Sequence, residues 1–259
     1  MLKFIIIILF LYILLGFIST NPKQNVKINK EVDTSLIRLS EELLYQVKMQ
    51  SSTKEIESKL QNLDEHSLMN GLSNDDAKKT FWINIYNAYY QILAKNKDVE
   101  KSKIYIIRKI TIANNLFSLD DIEHGILRKY RWKYSMGYLP QFFPKKNIKQ
   151  LAVKEIDFRI HFALNCGAKS CPPIAFYSYQ KINQQLDLAT TSFLTSEAEF
   201  DDEKKIVKVT KIMSWFLGDF DGKKGIRNIF EKYLHKNVES YSIEFKPYNW
   251  DTDLNNFSK

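Results

Sequence analysis

The sequence predicts an α+β fold: one helix-rich domain with a small, mostly antiparallel sheet around a buried central helix. Residues 81–93 are apolar nearly all round a helix, which is typical of a helix buried on every side. Short β-prone segments occur near residues 206–209 and 241–245. Only 8 of the 259 residues are glycine, so few positions reach positive φ easily, which favours long helices over a many-turned β sandwich.

The helices are placed by apolar spacing and capping residues. A first helix is predicted after Asp33, with apolar residues at helical spacing: Leu36, Leu39, Leu43 and Val47. Ser73 followed by Asp76 approximates a capping box and predicts the start of the central helix, which runs to about Lys95.

The second half of the chain carries weaker signals of the same kind. Ser118 with Asp121 repeats the capping pattern. A later helix is predicted from the spacing of Ile182, Leu186, Ala189 and Phe193. A charged hairpin at 201–205 leads into a strand at 206–209, and two short helices precede a final strand near 241–245.

The N-terminus carries a targeting signal. Phe4 to Ile18 is an unbroken apolar run of 15 residues, which matches a secretory signal and is shorter than the ~20 residues of a membrane-spanning helix. We therefore expect residues 1–20 to be a signal peptide or membrane anchor, 21–31 a tether and 32–259 a single domain. Export to the periplasmic or extracellular side, with or without cleavage, is the expectation; a cytosolic protein with a buried N-terminal helix is the alternative.

The charge of the chain indicates which classes of binding partner to expect. The net charge is +8, and basic clusters such as 128–133 and 145–149 could meet anionic envelope polymers or lipid headgroups. Acidic residues are interspersed along the chain, so most lysines are interpreted as ordinary residues of the solvent-exposed surface. We expect an unknown envelope component as partner, membrane association through residues 4–18 as a further option, and no nucleic acid.

A polar pair stands out in the apolar segment 159–165. Its alternation predicts a strand that turns Ile160 and its neighbours to the core and places His161 and Asn165 on the other face. A loop follows that contains both cysteines of the chain, Cys166 and Cys171.

Several motifs resemble the family known as domain of unknown function 547. The segments that carry the resemblance are 82–88, 122–128, 157–173, 211–220 and 248–255. The similarity covers roughly residues 65–255, with Phe158 as a departure where the family leads us to expect proline. The resemblance implies a fold and a polar centre, and identifies the chain as similar to exported bacterial members. It implies no reaction.

Three alternatives remain open for the cysteines. In the first, Cys166 is a nucleophile, His161 its base and Asn87 the orienting amide, with Cys171 as an alternative thiol. In the second, the two cysteines form a disulfide, because they are the only cysteines of the chain, their number is even, and the expected compartment is oxidising. In the third, they bind zinc with His161 and His124, but nothing fixes the histidine spacing, so neither metal nor cofactor is predicted.

Further polar residues are candidates for ligand binding. His124 and Arg128 are four apart and share a helical face with room for a carboxylate or phosphate, or they form a buried ion-pair network. Asn84 and Asn87 share a face of the central helix, where they bind ligand or hold a neighbouring loop. The full binding set is Asn84, Glu123, His124, Arg128, Asn165 and Ser170.

These residues lead to two hypotheses of function. The first is a cysteine-dependent hydrolase or transferase that acts on peptide or amide groups in the cell envelope. The second is a non-catalytic envelope interaction module stapled by a Cys166–Cys171 disulfide.

Overall fold

A computed structural model describes residues 31–258. The predicted signal peptide and most of the tether lie outside these residues. The first half of the described chain is helical: α1 (Thr34–Lys48), α2 (Lys54–Gln61), α3 (Glu65–Gly71) and α4 (Asp75–Lys95). The predicted first and central helices are confirmed as α1 and α4.

Three of these four helices, α1, α3 and α4, begin where a polar side chain accepts a hydrogen bond from a free backbone N–H. Asp33 accepts from Ser35 N at 2.9 Å, as the sequence predicts. The cap of α4 is Asn74, which accepts from Ala77 N at 2.9 Å, so the prediction of Ser73 as the cap was wrong by one residue.

The central helix α4 is buried on nearly all sides. Sixteen of its 21 residues are buried, including the fully buried Trp82 and Phe81. Helix α1 packs along it and buries Leu36, Leu43 and Leu44. Because most of α4 is shielded from solvent, its buried polar groups depend on partners within the protein, and among the described residues only Trp82 Nε1 and Gln91 Nε2 of this helix have none.

The remaining elements follow in chain order. They are β1 (Ile110–Ile112), β2 (Asn115–Phe117), a π-helix (Asp121–Leu127), α5 (Lys146–Leu151), α6 (Ile182–Glu197), β3 (Glu199–Asp201), β4 (Ile206–Val209), α7 (Lys211–Trp215), α8 (Gly222–Leu234) and β5 (Ser242–Phe245). Short 3₁₀ helices lie at Lys101–Lys103, Lys133–Ser135, Phe158–Phe162 and Tyr179–Lys181. No helix within residues 31–258 has the length and apolar character needed to cross a membrane.

The sheets are small. Strands β1 and β2 form an antiparallel hairpin with Ile110 opposite Phe117. Strand β4 lies between β3, to which it is antiparallel, and β5, to which it is parallel. The α+β class is confirmed, and two of these three strand pairings are antiparallel.

Two apolar clusters make up the core. The larger surrounds α4 and extends through β1, β2 and the π-helix to the start of α6. The smaller joins the end of α6 to β4, α7, α8 and β5. The assignment of residues 32–259 to one domain stays a prediction, and the candidate site described below lies where the two clusters meet.

The predicted strand at 159–165 was wrong. Residues Phe158–Phe162 form a 3₁₀ helix, which begins at Asp157, whose side chain accepts from Arg159 N at 3.1 Å. Farther along, the backbone at Ala163 and Asn165 is paired by a side chain of α4 rather than by a neighbouring strand. Apolar alternation over seven residues did not distinguish this tightly wound segment from a strand.

Candidate functional site

A histidine and an aspartate form a buried pair at the centre of the site. His161 Nε2 lies 2.9 Å from Asp219 Oδ2, and the two side chains are 1% and 0% exposed. The ring of His161 stacks on Phe216, with 4.0 Å between the ring centroids. The 3₁₀ helix that begins at Asp157 sets the position of His161, and the turn after α7 sets that of Asp219.

The charge states of this pair follow from its surroundings. Burial lowers the pKa of His161, although the neighbouring Asp219 opposes the shift. Burial alone would raise the pKa of Asp219, but hydrogen bonds to His161 and Arg128 outweigh it and lower that pKa. The imidazole is therefore neutral and the carboxylate charged near neutral pH, so Nε2–H donates to Asp219 and Nδ1 keeps its lone pair.

Arg128 ties this pair to the π-helix. Its side chain is completely buried, its Nε contacts Asp219 Oδ2, and its Nη1 lies 2.6 Å from His124 Nδ1. Its guanidinium also lies over the ring of Phe216, 4.4 Å from the centroid. Burial and the adjacent Arg128 hold the pKa of His124 well below its usual range. His124 and Arg128 do share one face, and Arg128 serves as a buried structural cation rather than an open anchor for a ligand.

A carboxyl group with a raised pKa lies at the same site. Burial raises the pKa of Glu123 to about 7, although Arg128 and the hydroxyl of Tyr86 act against the shift. The Tyr86 hydroxyl donates to Glu123 Oε2 at 3.0 Å. A second carboxylate, Asp120, accepts from Lys133 Nζ at 2.7 Å, and burial raises its pKa as well.

His161, His124, Glu123 and Asp120 border a cavity of about 660 Å³, whose lining does not include Asp219 or Arg128. One wall is aromatic: Trp215 packs on Tyr248 and Trp250, with ring centroids 4.7 and 5.5 Å away. The polar lining residues include Tyr86, Asp120, Glu123, His124, Lys133, His161, Lys211, Ser214, Cys166 and Cys171. The volume falls within the range of ordinary small-molecule and peptide sites, roughly 300–1,000 Å³.

The two cysteines are bonded to each other, which confirms the disulfide alternative. The Tyr248 hydroxyl lies 2.9 Å from Cys166 Sγ and 3.0 Å from Cys171 Sγ. Neither residue has a free thiol in this state, so the nucleophilic role assigned to Cys166, with Cys171 as its alternative, does not apply to it. The zinc set fails for the same reason, and residues 31–258 contain no other group of three or more suitable ligands.

The two asparagines of α4 form hydrogen bonds with backbone groups of other segments. Asn87 donates to Ala163 O at 2.9 Å and accepts from Asn165 N at 2.9 Å. Asn84 pairs with both the N–H and the C=O of Tyr177, at 3.1 and 2.8 Å. The proposed role of Asn87 in orienting His161 was therefore wrong, because Asp219 holds that ring.

Two further predicted binding residues also stabilise the cysteine loop. Asn165 donates to Pro172 O at 2.7 Å and accepts from Gly167 N at 2.8 Å, which closes the loop across its base. The Ser170 hydroxyl accepts from Asn249 N at 2.9 Å and so joins the loop to the C-terminal segment. Of the predicted set, the residues that border the cavity are Glu123, His124, His161, Cys166 and Cys171.

Sequence reasoning missed Asp219, Tyr86 and the aromatic wall. Asp219 and Trp215 lie in the segment 211–220, and Tyr248 and Trp250 lie in 248–255. Both segments carry the family resemblance, so an acidic residue in the first was the available signal for a partner of His161.

Comparison with known protein families matches residues 69–194 to the family described as "Protein of unknown function, DUF547". The matched residues include Glu123, His161 and the disulfide, whereas Asp219 and the aromatic wall lie beyond them. No curated protein and no solved structure matches the chain.

Proposed function

Because the chain belongs to the DUF547 family, whose description names no activity, we propose its function from the site: hydrolysis of an amide or peptide bond by general acid–base catalysis. One observation carries the proposal. His161, held through Nε2 by the buried Asp219, borders the same cavity as Glu123, whose pKa of about 7 keeps much of it protonated at neutral pH. A neutral base and a protonated carboxyl group in one cavity are the two partners that such a reaction needs.

His161 is the general base in this reaction. Its Nδ1 takes a proton from water as the water oxygen bonds to the carbonyl carbon of the substrate. The imidazolium that forms is stabilised by Asp219, which keeps its negative charge and positions the ring through Nε2.

Glu123 is the general acid. Its proton goes to the amide nitrogen as the carbon–nitrogen bond breaks, which gives a carboxylic acid and an amine. The proton held by His161 then passes through solvent in the cavity to Glu123. Both side chains thereby return to their starting states. The Tyr86 hydroxyl stabilises the Glu123 carboxylate between these steps, because it donates to Oε2.

The lining of the cavity supports a peptide-like substrate with an apolar or ring-bearing group. Trp215, Tyr248 and Trp250 offer a surface for stacking. Lys211 borders the cavity and forms no ion pair with any residue of the described chain, so it is available to a substrate carboxylate. We place the reaction in the cell envelope, which the disulfide supports because disulfides persist in oxidising compartments.

The test uses the full-length protein with a panel of synthetic peptides and acyl amides, each followed by mass spectrometry for the addition of one water. Glu123→Gln keeps the shape of the side chain and removes the acid, and His161→Gln keeps a donor to Asp219 and removes the base. Each substitution should lower turnover by about a hundredfold or more. Glu155→Gln, at an exposed carboxylate outside the cavity, is the matched control.

The pH profile distinguishes catalysis from a structural effect. Activity should fall as pH rises through about 7, where Glu123 loses its proton, and should fall on the acid side as His161 gains one. Glu123→Gln should remove the alkaline limb. Equal turnover in Glu123→Gln and wild type would refute the mechanism.

The second candidate is a non-catalytic interaction module of the envelope. It is favoured by the disulfide and by the amides of Asn84 and Asn87. These groups hold the backbone near the cavity in place, which is a structural role and does not require catalysis. This candidate predicts a peptide ligand that binds with equal affinity to wild type and Glu123→Gln and is recovered unchanged.

A further inference from the structure

The segment between residues 132 and 143, here called the aromatic loop, holds an unusual share of exposed apolar surface. Among residues 31–258, thirteen large hydrophobic side chains are exposed, and seven of them lie in this loop. Phe142 and Phe143 are the most exposed of all, at 84% and 96%. Scattered exposed hydrophobic residues are ordinary, but a concentration in one loop marks an interaction surface.

The backbone of the loop holds these side chains outward. Trp132 N donates to Leu139 O at 2.9 Å, and Gln141 N donates to Tyr130 O at 2.7 Å, so the loop is closed as an irregular hairpin. Its tip is tied to the body of the protein where Gly218 N donates to Met136 O at 2.7 Å. These hydrogen bonds restrain the backbone up to Gln141, and the exposed Phe142 and Phe143 follow directly after it.

The charged residues within the loop and its flanking sequence have one sign. Residues 129–154 contain seven basic and no acidic residues. Lys145, Lys146 and Lys149 lie within six residues after Phe143, are exposed, and form no ion pair within residues 31–258. Phenylalanine, tryptophan and tyrosine beside unpaired lysines is the composition that binds an anionic lipid surface, where the rings enter the interface and the lysines meet the headgroups.

We propose that the aromatic loop docks the protein onto an anionic membrane surface, with Phe142 and Phe143 in the acyl boundary and Lys145 and Lys146 on the lipid headgroups. Charge complementarity favours a lipid surface over a second copy of the chain, because two such loops would repel each other. Lys133, Tyr134 and Met136 of the loop also border the cavity, so docking places the mouth of the cavity at the bilayer. The proposal does not depend on the chemistry of the site.

The experiment measures where residue 143 lies, because retention of the full-length chain at a membrane through residues 4–18 would not report on the loop. Phe143→Trp in the full-length protein adds a fluorophore at the C-terminal end of the loop. Vesicles of anionic phosphatidylglycerol and phosphatidylcholine with brominated acyl chains quench tryptophans that enter the bilayer. The variant should show more quenched emission than wild type. Leu188→Trp, at another exposed apolar side chain, should show no such gain.

Charge is tested with matched lysine pairs. Lys145→Gln with Lys146→Gln should lower the docked-to-undocked ratio about 25-fold, from roughly fivefold for each lysine lost at the surface. Lys204→Gln with Lys205→Gln removes an adjacent exposed pair in the turn between β3 and β4 and should leave the ratio unchanged. High salt or vesicles of phosphatidylcholine alone should also release the loop.

Three outcomes would overturn the proposal. The first is the absence of quenching at residue 143 on anionic vesicles. The second is equal quenching on neutral vesicles. The third is a blue shift of the new tryptophan without lipid, which would mean that the loop packs against a second copy of the chain.

Discussion

Replacement of Glu123 by glutamine should change how the stability of the protein depends on pH. In the unfolded chain this carboxyl has its ordinary pKa of 4.5, and burial raises the pKa to about 7 in the folded protein. Between these values the folded protein holds a proton that the unfolded chain has released. The stability contributed by this proton is fully present below about pH 4.5 and is lost as pH rises through about 7.

The pKa change fixes the size of the effect. A rise from 4.5 to about 7 corresponds to roughly 3 kcal/mol at ~1.4 kcal/mol for each pH unit. Glutamine keeps the contact with Tyr86 but has no proton to lose, so the variant should gain roughly 3 kcal/mol over wild type as pH rises through this window. The difference between variant and wild type isolates this group from the histidines, which are present in both proteins.

Urea unfolding of both proteins at a series of pH values from about 4 to 8 measures the difference directly. Glu155→Gln controls for the loss of one carboxylate at the surface, because its side chain is 88% exposed. A difference between Glu123→Gln and wild type that stays constant with pH would refute the raised pKa. It would also remove the proton donor from the proposed mechanism.

Two further predictions follow from the frame of the site. Reduction of the Cys166–Cys171 bond should lower the free energy of unfolding by about 2 kcal/mol, the loop-closure value for a bridge across four intervening residues, and urea unfolding with and without reductant measures it. Gly137→Ala should destabilise the protein and lower the proposed activity, because this glycine has φ +90° and a methyl group there would press on Asp219 Oδ1 and lie 2.8 Å from Asp219 N. Gly222→Ala is the control, since its φ is also positive, +69°, but the nearest atom is 3.6 Å away; equal losses in the two alanine variants would contradict the contact with Asp219.

The helices could be predicted because their signals are local. Apolar spacing and a capping residue at Asp33 lie within a few positions of the helix that they start. The error at α4 was of one residue, since Ser73 and Asn74 are both good caps and only the path of the chain selects Asn74.

The segment 159–165 could not be predicted because its backbone partners are distant in sequence. Asn87 donates to residue 163 and accepts from residue 165, so an amide of α4 takes the place of a neighbouring strand. Once these two groups are paired from the helix, the chain before them is free to wind into a 3₁₀ turn. The sequence of residues 159–165 alone does not indicate that Asn87 pairs with this backbone.

The site was predicted in part for the same reason. His161 was predicted from its position in an apolar segment and Glu123 was predicted together with His124 and Arg128, and both border the cavity. The partner of His161 lies 58 positions away, and Asp219 was visible only as one acid in a long motif. The disulfide stayed an alternative because the spacing of two cysteines is compatible with free thiols and with a bridge.

The contact at Gly137 connects the aromatic loop to the candidate site. The aromatic loop closes directly over Asp219, its Met136 carbonyl accepts from Gly218 N, and its Lys133 pairs with Asp120 at the edge of the cavity. The loop that we propose for membrane docking is therefore also a wall of the site and a support for the carboxylate that holds His161. We expect a shift of this loop to move Gly218 and with it Asp219, whose carboxylate also anchors Arg128. Because the Gly137 contact leaves no room for a methyl group, we expect movement of the loop to reach Asp219 and the imidazole of His161 rather than to be absorbed by empty space.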